Sequence, residues 1–177
     1  KLNKIMLGRF KGKSGGLYQI SDSDDLIARP MEIFDSALPS GNAVAMHNLL
    51  RLSRLTGDAE LAAEAAAIAD HFAGIAKRAP SGVLHMLSAV LLAESKSREI
   101  VLAGDKDSET AKKMLHIIRA SYRPNAVVLW HNAQLEQLAP YTRGQKSING
   151  NVTAYVCENF QCNLPVSNAE ALAKLLD

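Results

Sequence analysis

Cysteine is scarce in this chain, which has only Cys157 and Cys162 among its 177 residues. A structural zinc site needs a second Cys or His pair close by. The C-x4-C spacing has none, because His47, His71, His85, His116 and His131 all fall outside any ligand spacing with it. No metal and no cofactor are expected. Apolar runs are short as well: none approaches the roughly 18 residues of a membrane span, and no apolar segment of the secretory type follows the charged N-terminus. The chain therefore reads as soluble and cytoplasmic, without a membrane partner. Aromatics make up only 5% of residues. An excess of basic charge is confined to one end, since Lys1, Lys4, Arg9, Lys11 and Lys13 are five of the twenty basic residues, and the remaining fifteen face eighteen acidic ones. A nucleic-acid surface spreads its basic residues over a folded face beside aromatics, so that class is excluded. Phosphate-binding glycine patterns are also missing: GDKDS, at 104–108, is neither G-x-G-x-x-G nor a P-loop.

What is present is a change of hydrophobic period along the chain. The opening LNKIMLGRF looks like the last turns of a helix begun earlier, so a fragment of a longer protein is expected. Leu17 to Ile20 and Leu26 to Arg29, separated by the polar SDSDD, predict a β-hairpin. DSALPSGN, from Asp35 to Asn42, is dense in turn and capping residues and predicts a helix start at about Asn42. The stripe Ala45, Leu49, Leu52, Leu55 carries that helix to Gly57, a residue suited to a helix C-terminus. Asp58 then caps a second helix with Leu61, Ala65, Ile68, Phe72 and Ile75 on one face. Pro80 and Ser81 open a third, to about Glu94, whose apolar set of Val83, Leu84, Leu87, Val90 and Leu91 wraps widely enough to predict burial on two sides. With their partner helices absent, Leu49, Leu52 and Phe72 are expected to form a bare apolar face and drive self-association. Beyond Ser97 the pattern becomes strand-like. EIVLA (99–103), AVVLW (126–130) and a run around Thr153 to Val156 predict three strands. Helices at about 109–120, 133–138 and after the capping box at Ser167 to Glu170 alternate with them. Uninterrupted apolar strands in this order argue for a parallel sheet. The fold class is mixed α/β: a helical-hairpin region, 1–96, followed by a small three-stranded parallel α/β region, 97–177.

Two stretches carry a resemblance. RPMEIFDSALPSGNAVAMHNLLRLSRLTGD, from Arg29 to Asp58, and TAYVCENFQCNLPV, from Thr153 to Val166, resemble the C-terminal third of the spermatogenesis-associated thioredoxin-domain family. EIVLAGDKDS and RPNAVVLW fall at that family's matching strands between them. The resemblance implies a thioredoxin-like domain upstream of Lys1, then a helical region similar to six-hairpin glycosidases and sugar epimerases, with this chain completing it. Those upstream domains are the expected partners.

Two candidate sites follow. Asp35, Ser40 and Asn42 crowd polar side chains at a helix N-terminus, where free N–H groups favour an anionic or hydroxyl-rich ligand, and Arg29 adds a guanidinium fork. By analogy with helical-hairpin barrels the ligand would be a sugar-like small molecule; the plainer reading is that these residues cap the helix and brace the loop. Cys157 and Cys162 are read as structural thiols closing the third strand, with reversible disulfide chemistry as the alternative, since neither lies at the helix N-terminus that lowers a thiol pKa. His131, just past the second strand, stands where α/β sheets bind ligands. No complete catalytic constellation is present. The chain reads as the C-terminal part of a multidomain protein completing a helical region, with a carbohydrate-processing or other small-molecule enzyme as the first alternative and a thiol–disulfide redox protein as the second.

Overall fold

A computed structural model describes residues 1–21 and 28–176. Its first unit comprises Lys1–Ser53 and Asp58–Glu94. Helix α1 (Leu2–Phe10) opens it and α2 (Gly41–Thr56) follows the turn-rich loop. Gly57 ends α2 at φ +76°, a left-handed conformation in which a Cβ would be strained. Asp58 caps α3 (Ala59–Arg78) by accepting the Glu60 N–H, as the sequence predicts. A 3₁₀ turn at Pro80–Gly82 then leads into α4 (Leu84–Glu94). Ala43, Ala45, Met46, Leu49 and Leu50 of α2 pack with Ala65, Ile68 and Phe72 of α3 and Val83, Met86, Ala89 and Leu92 around α4. Each large side chain buried here contributes about 1.5–3 kcal/mol.

Two expectations fail in this unit. Leu49 and Phe72 are inside the core rather than on a bare face, and Leu52 is half-buried. Helix α4 is buried on one side only: Leu84 is 63% and Leu91 72% exposed. The reason is phase. Val83, Met86, Ala89 and Leu92 form the inward stripe, which leaves Leu84 and Leu91 on the far side of a helix that is apolar on two opposite sides. Of the predicted hairpin, the first arm is described: Leu17 bridges Lys11 antiparallel, the Tyr18 N–H donates to the Phe10 carbonyl and the Gln19 N–H to that of Pro30. Residues 22–27, which hold most of its turn and half of the second arm, lie outside the described residues.

The second unit comprises Arg54–Gly57 and Ser95–Asp177. Its elements are β1 (Arg98–Ala103), α5 (Glu109–Arg119), β2 (Ala126–Trp130), α6 (Ala133–Leu138), β3 (Thr153–Glu158), β4 (Gln161–Cys162) and α7 (Ala169–Leu176). Asn168 caps α7 by accepting the Ala171 N–H. The sheet has four strands in the order β2-β1-β3-β4 and is mixed, which corrects the three-stranded parallel sheet. Strands β1 and β2 run parallel, joined by the α5 crossover, whereas β3 lies antiparallel on the other side of β1. Hydrophobic runs report burial on both faces, not direction, and an antiparallel neighbour hides in such a pattern. Ile100, Leu102, Ala154 and Val156 point from one face into a core with Ala111, Met114 and Ile118 of α5 and Leu172 and Leu176 of α7. Glu99, Val101, Tyr155 and Cys157 occupy the opposite face by alternation. No helix among the described residues is long and apolar enough to cross a membrane.

Candidate functional site

The loop before α2 is satisfied from within. Asp35 accepts the Ser40 N–H on Oδ1 at 3.1 Å and the His85 N–H of α4 on Oδ2 at 2.8 Å. Ser40 Oγ accepts the Ala43 N–H and caps α2. Asn42, buried, takes the Leu17 N–H on Oδ1 at 2.6 Å and donates from Nδ2 to the Leu17 and Glu32 carbonyls. The Arg29 guanidinium donates to the carbonyls of Arg9 and Ile20 and lies 4.0 Å from the centroid of the Tyr18 ring. Asp35 spends both oxygens on backbone N–H groups and does not orient Arg29. Each of the four thus has backbone groups among its partners, as a cap or a brace does.

One histidine pair in this unit escaped the sequence reading. His47 of α2 and His85 of α4 bring their rings to 4.5 Å between centroids, and His47 Nε2 lies 2.9 Å from Ser88 Oγ. Burial lowers the His47 pKa, and the neighbouring His85 and Arg51 lower it further. In the second unit, His131 donates its backbone N–H to the Leu102 carbonyl, and its Nε2 stands 3.1 Å from Glu136 Oε1. That nitrogen is buried and makes no hydrogen bond among the described residues.

The two cysteines lie among buried polar side chains of the second unit. Strand register aligns Val127 of β2, Glu99 of β1, Cys157 of β3 and Cys162 of β4 in one row across the sheet, so all four side chains share a face. Cys157 and Cys162 are joined as a disulfide. Cys157 is fully buried and Cys162 exposed. Glu99 is a fully buried carboxylate. It accepts a hydrogen bond from the Ser97 hydroxyl on Oε1 and the Phe160 N–H on Oε2 at 2.9 Å. Phe160 and Asn159, at φ +64° and +50°, form the two-residue turn between β3 and β4, a backbone state that a bulky residue seldom adopts. Gln145 Nε2 donates to both sulfurs, at 3.6 Å to Cys157 and 3.3 Å to Cys162, while its buried Oε1 has no hydrogen-bond partner among the described residues. Tyr141 stacks edge-on against Phe160 at 5.0 Å. Burial, with the Glu99 charge adding to it, pushes the Tyr141 hydroxyl far above its ordinary range.

Cys162 opens onto a polar groove of about 520 Å³ lined by Lys96, Glu158, Asn159, Gln161 and Asn163. The Arg98 guanidinium donates to Glu158 there and, with Lys96, holds its carboxyl below the usual range. Sequence reasoning found the cysteines but passed over Glu99, Gln145 and Tyr141. A signal for Glu99 existed: a carboxylate inside a strand otherwise read as buried on both faces has to be paired or hydrogen-bonded.

Fold and site together define a mixed α/β protein of two units, one helical and one built on a four-stranded sheet, with a hairpin disulfide set beside a buried carboxylate. No family model matches the chain. It is homologous over nearly its whole length to spermatogenesis-associated protein 20 of Homo sapiens, at 28% identity over 174 residues, which is 94% of this chain and 22% of that protein. The proteins of the same name from Rattus norvegicus and Mus musculus are each 28% identical, over 99% and 92% of this chain and 23% and 21% of theirs. The resemblance carried by Arg29 to Asp58 and Thr153 to Val166 therefore holds. The chain spans about a fifth of the length of the curated relatives it matches.

Proposed function

We propose that this chain is the C-terminal part of a longer multidomain protein, its helical unit completing a larger helical region downstream of a thioredoxin-like domain. The observation that carries this reading is α4, apolar on two opposite sides, with Leu84 and Leu91 bare on the side away from its core. A helix of that composition belongs inside a larger assembly. Beside it, Ala62, Ala66, Ala69 and Ala73 of α3, with Leu87 and Val90 of α4, line an open apolar groove whose small side chains leave room for a closely approaching backbone. The greater length of the relatives supplies a source for such a helix. By itself the chain covers the same face with a second copy. The enzyme reading that rested on Arg29, Asp35, Ser40 and Asn42 draws no support from residues engaged by the backbone.

The test is the double variant Leu84→Lys and Leu91→Lys. In the isolated chain it changes unfolding free energy by less than about 0.5 kcal/mol, because both sites are exposed, and converts a self-associating species to monomer in light scattering. In the longer protein it lowers the thermal midpoint and opens the helical region to protease. A wild-type chain that stays strictly monomeric at high concentration, with a longer protein indifferent to the two lysines, overturns the reading.

A further inference from the structure

We propose that Cys157 and Cys162 form a reversible dithiol–disulfide site in which Cys162 is the sulfur attacked by an incoming thiolate and Glu99 exchanges the proton of Cys157. Three independent features converge on it. First, the pair is asymmetric: Cys162 is exposed at the mouth of a polar groove, whereas Cys157 is fully buried, so an external thiol reaches one sulfur only. Second, Glu99 is the direct cross-strand neighbour of Cys157, at a spacing that puts the two Cβ atoms roughly 5 Å apart. The Ser97 hydroxyl and the Phe160 N–H hold that carboxylate in place beside the sulfur. Third, the Gln145 amide touches both sulfurs through Nε2 and keeps an Oε1 with no hydrogen-bond partner among the described residues, so a turn of the amide offers an acceptor to a thiol hydrogen once the bond is broken.

The co-reactant is a dithiol. A thiol of the co-reactant gives up its proton and attacks Cys162 Sγ as thiolate, the S–S bond breaks, and the electron pair leaves on Cys157 Sγ, which takes up that released proton, handed on through the Glu99 carboxylate. The second thiol of the co-reactant then displaces Cys162 from the mixed disulfide. The co-reactant ends as a disulfide and the protein as a dithiol, with two electrons and two protons transferred. In the reverse direction Glu99 accepts the Cys157 proton, and the resulting thiolate attacks the mixed disulfide on Cys162.

The bland account of Glu99 is that it only pins the strained turn at Phe160, and the experiment separates the two. The full chain is reduced with dithiothreitol and re-oxidised with glutathione disulfide, with mixed disulfides counted by mass spectrometry. Reduction is expected to leave the far-ultraviolet circular dichroism unchanged. Cys162 in Cys157→Ser should capture glutathione at least tenfold faster than Cys157 in Cys162→Ser. Glu99→Gln should slow release of glutathione from Cys162 by tenfold or more and flatten the pH profile of that step. Phe160→Gly, which relieves the turn without Glu99, should resolve the mixed disulfide at the wild-type rate, and adding Glu99→Gln to it should restore the slow step even if Glu99→Gln alone folds poorly. The proposal is overturned by a disulfide that yields to dithiothreitol only as the chain unfolds, by equal reactivity of the two sulfurs, or by a Glu99→Gln defect that vanishes in the Phe160→Gly background.

Discussion

Asp35→Ala tests most directly whether the loop before α2 is a brace or a pocket. The carboxylate ties two places far apart in sequence, taking the Ser40 N–H on one oxygen and the His85 N–H, fifty residues on, with the other. The first donor lies in a residue only 5% exposed, so water does not readily replace its partner. The second belongs to the first turn of α4, where N–H groups have no partner inside the helix. A hydrogen bond to a charged group is worth about 1.5–3 kcal/mol. Asp35 itself is only half-buried, which puts both bonds toward the lower end. The negative charge at the start of α4 adds about 0.3–1 kcal/mol through the helix dipole. Asp35→Ala should therefore cost the helical unit about 3–4 kcal/mol, read as a lowered urea midpoint in circular dichroism. Asp35→Asn should cost nearly as much, because its amide turns a donor towards one of the two N–H groups. A loss below about 0.5 kcal/mol, accompanied by loss of binding to a hydroxylated or anionic small molecule, would refute the argument and restore the pocket.

Two further outcomes follow from single residues. The folded chain keeps His47 neutral, its pKa lowered from the ordinary 6.5 mainly by burial and then by His85; its stabilising contribution is complete above that value and is lost as pH falls below it. The urea midpoint should thus drop between pH 7.5 and 5.5, and by less in His47→Gln; identical drops would dismiss the linkage. Gly57→Ala places a Cβ at φ +76° and 3.2 Å from the Tyr141 ring, a loss of about 1–2 kcal/mol that differential scanning calorimetry should record as a fall in melting temperature.

How much of this was legible depends on which signal each element used. Helices α2 and α3 were readable because their apolar spacing, the stop at Gly57 and the cap at Asp58 all act within a few residues. Strand β2 and helix α6 fell where the pattern put them, at 126–130 and 133–138. The direction of β3 was not readable, since nothing in TAYVCE distinguishes a parallel from an antiparallel neighbour. Strand β4 was missed because its turn is Asn159-Phe160, without the glycine that usually marks such a hairpin. Asp35 was noticed for its neighbours in sequence, yet half of its role depends on His85, a partner that no local pattern reveals. Glu99 was absorbed into an apolar run, although its charge was the informative part.

The strand order has a consequence in time. Strand β1 is flanked by β2 and β3, and the pairing of Ile100 with Val156 waits for chain made about fifty residues later. At synthesis rates of about 5–20 residues per second, β1 keeps an open edge for roughly 3–10 s after it emerges. Helix α2, by contrast, is followed almost at once by its partner α3, across Gly57 and Asp58. Whatever guards the nascent protein against aggregation has its work concentrated in that interval, on the apolar segment from Ile100 to Ala103, and a chain truncated before Thr153 never leaves it.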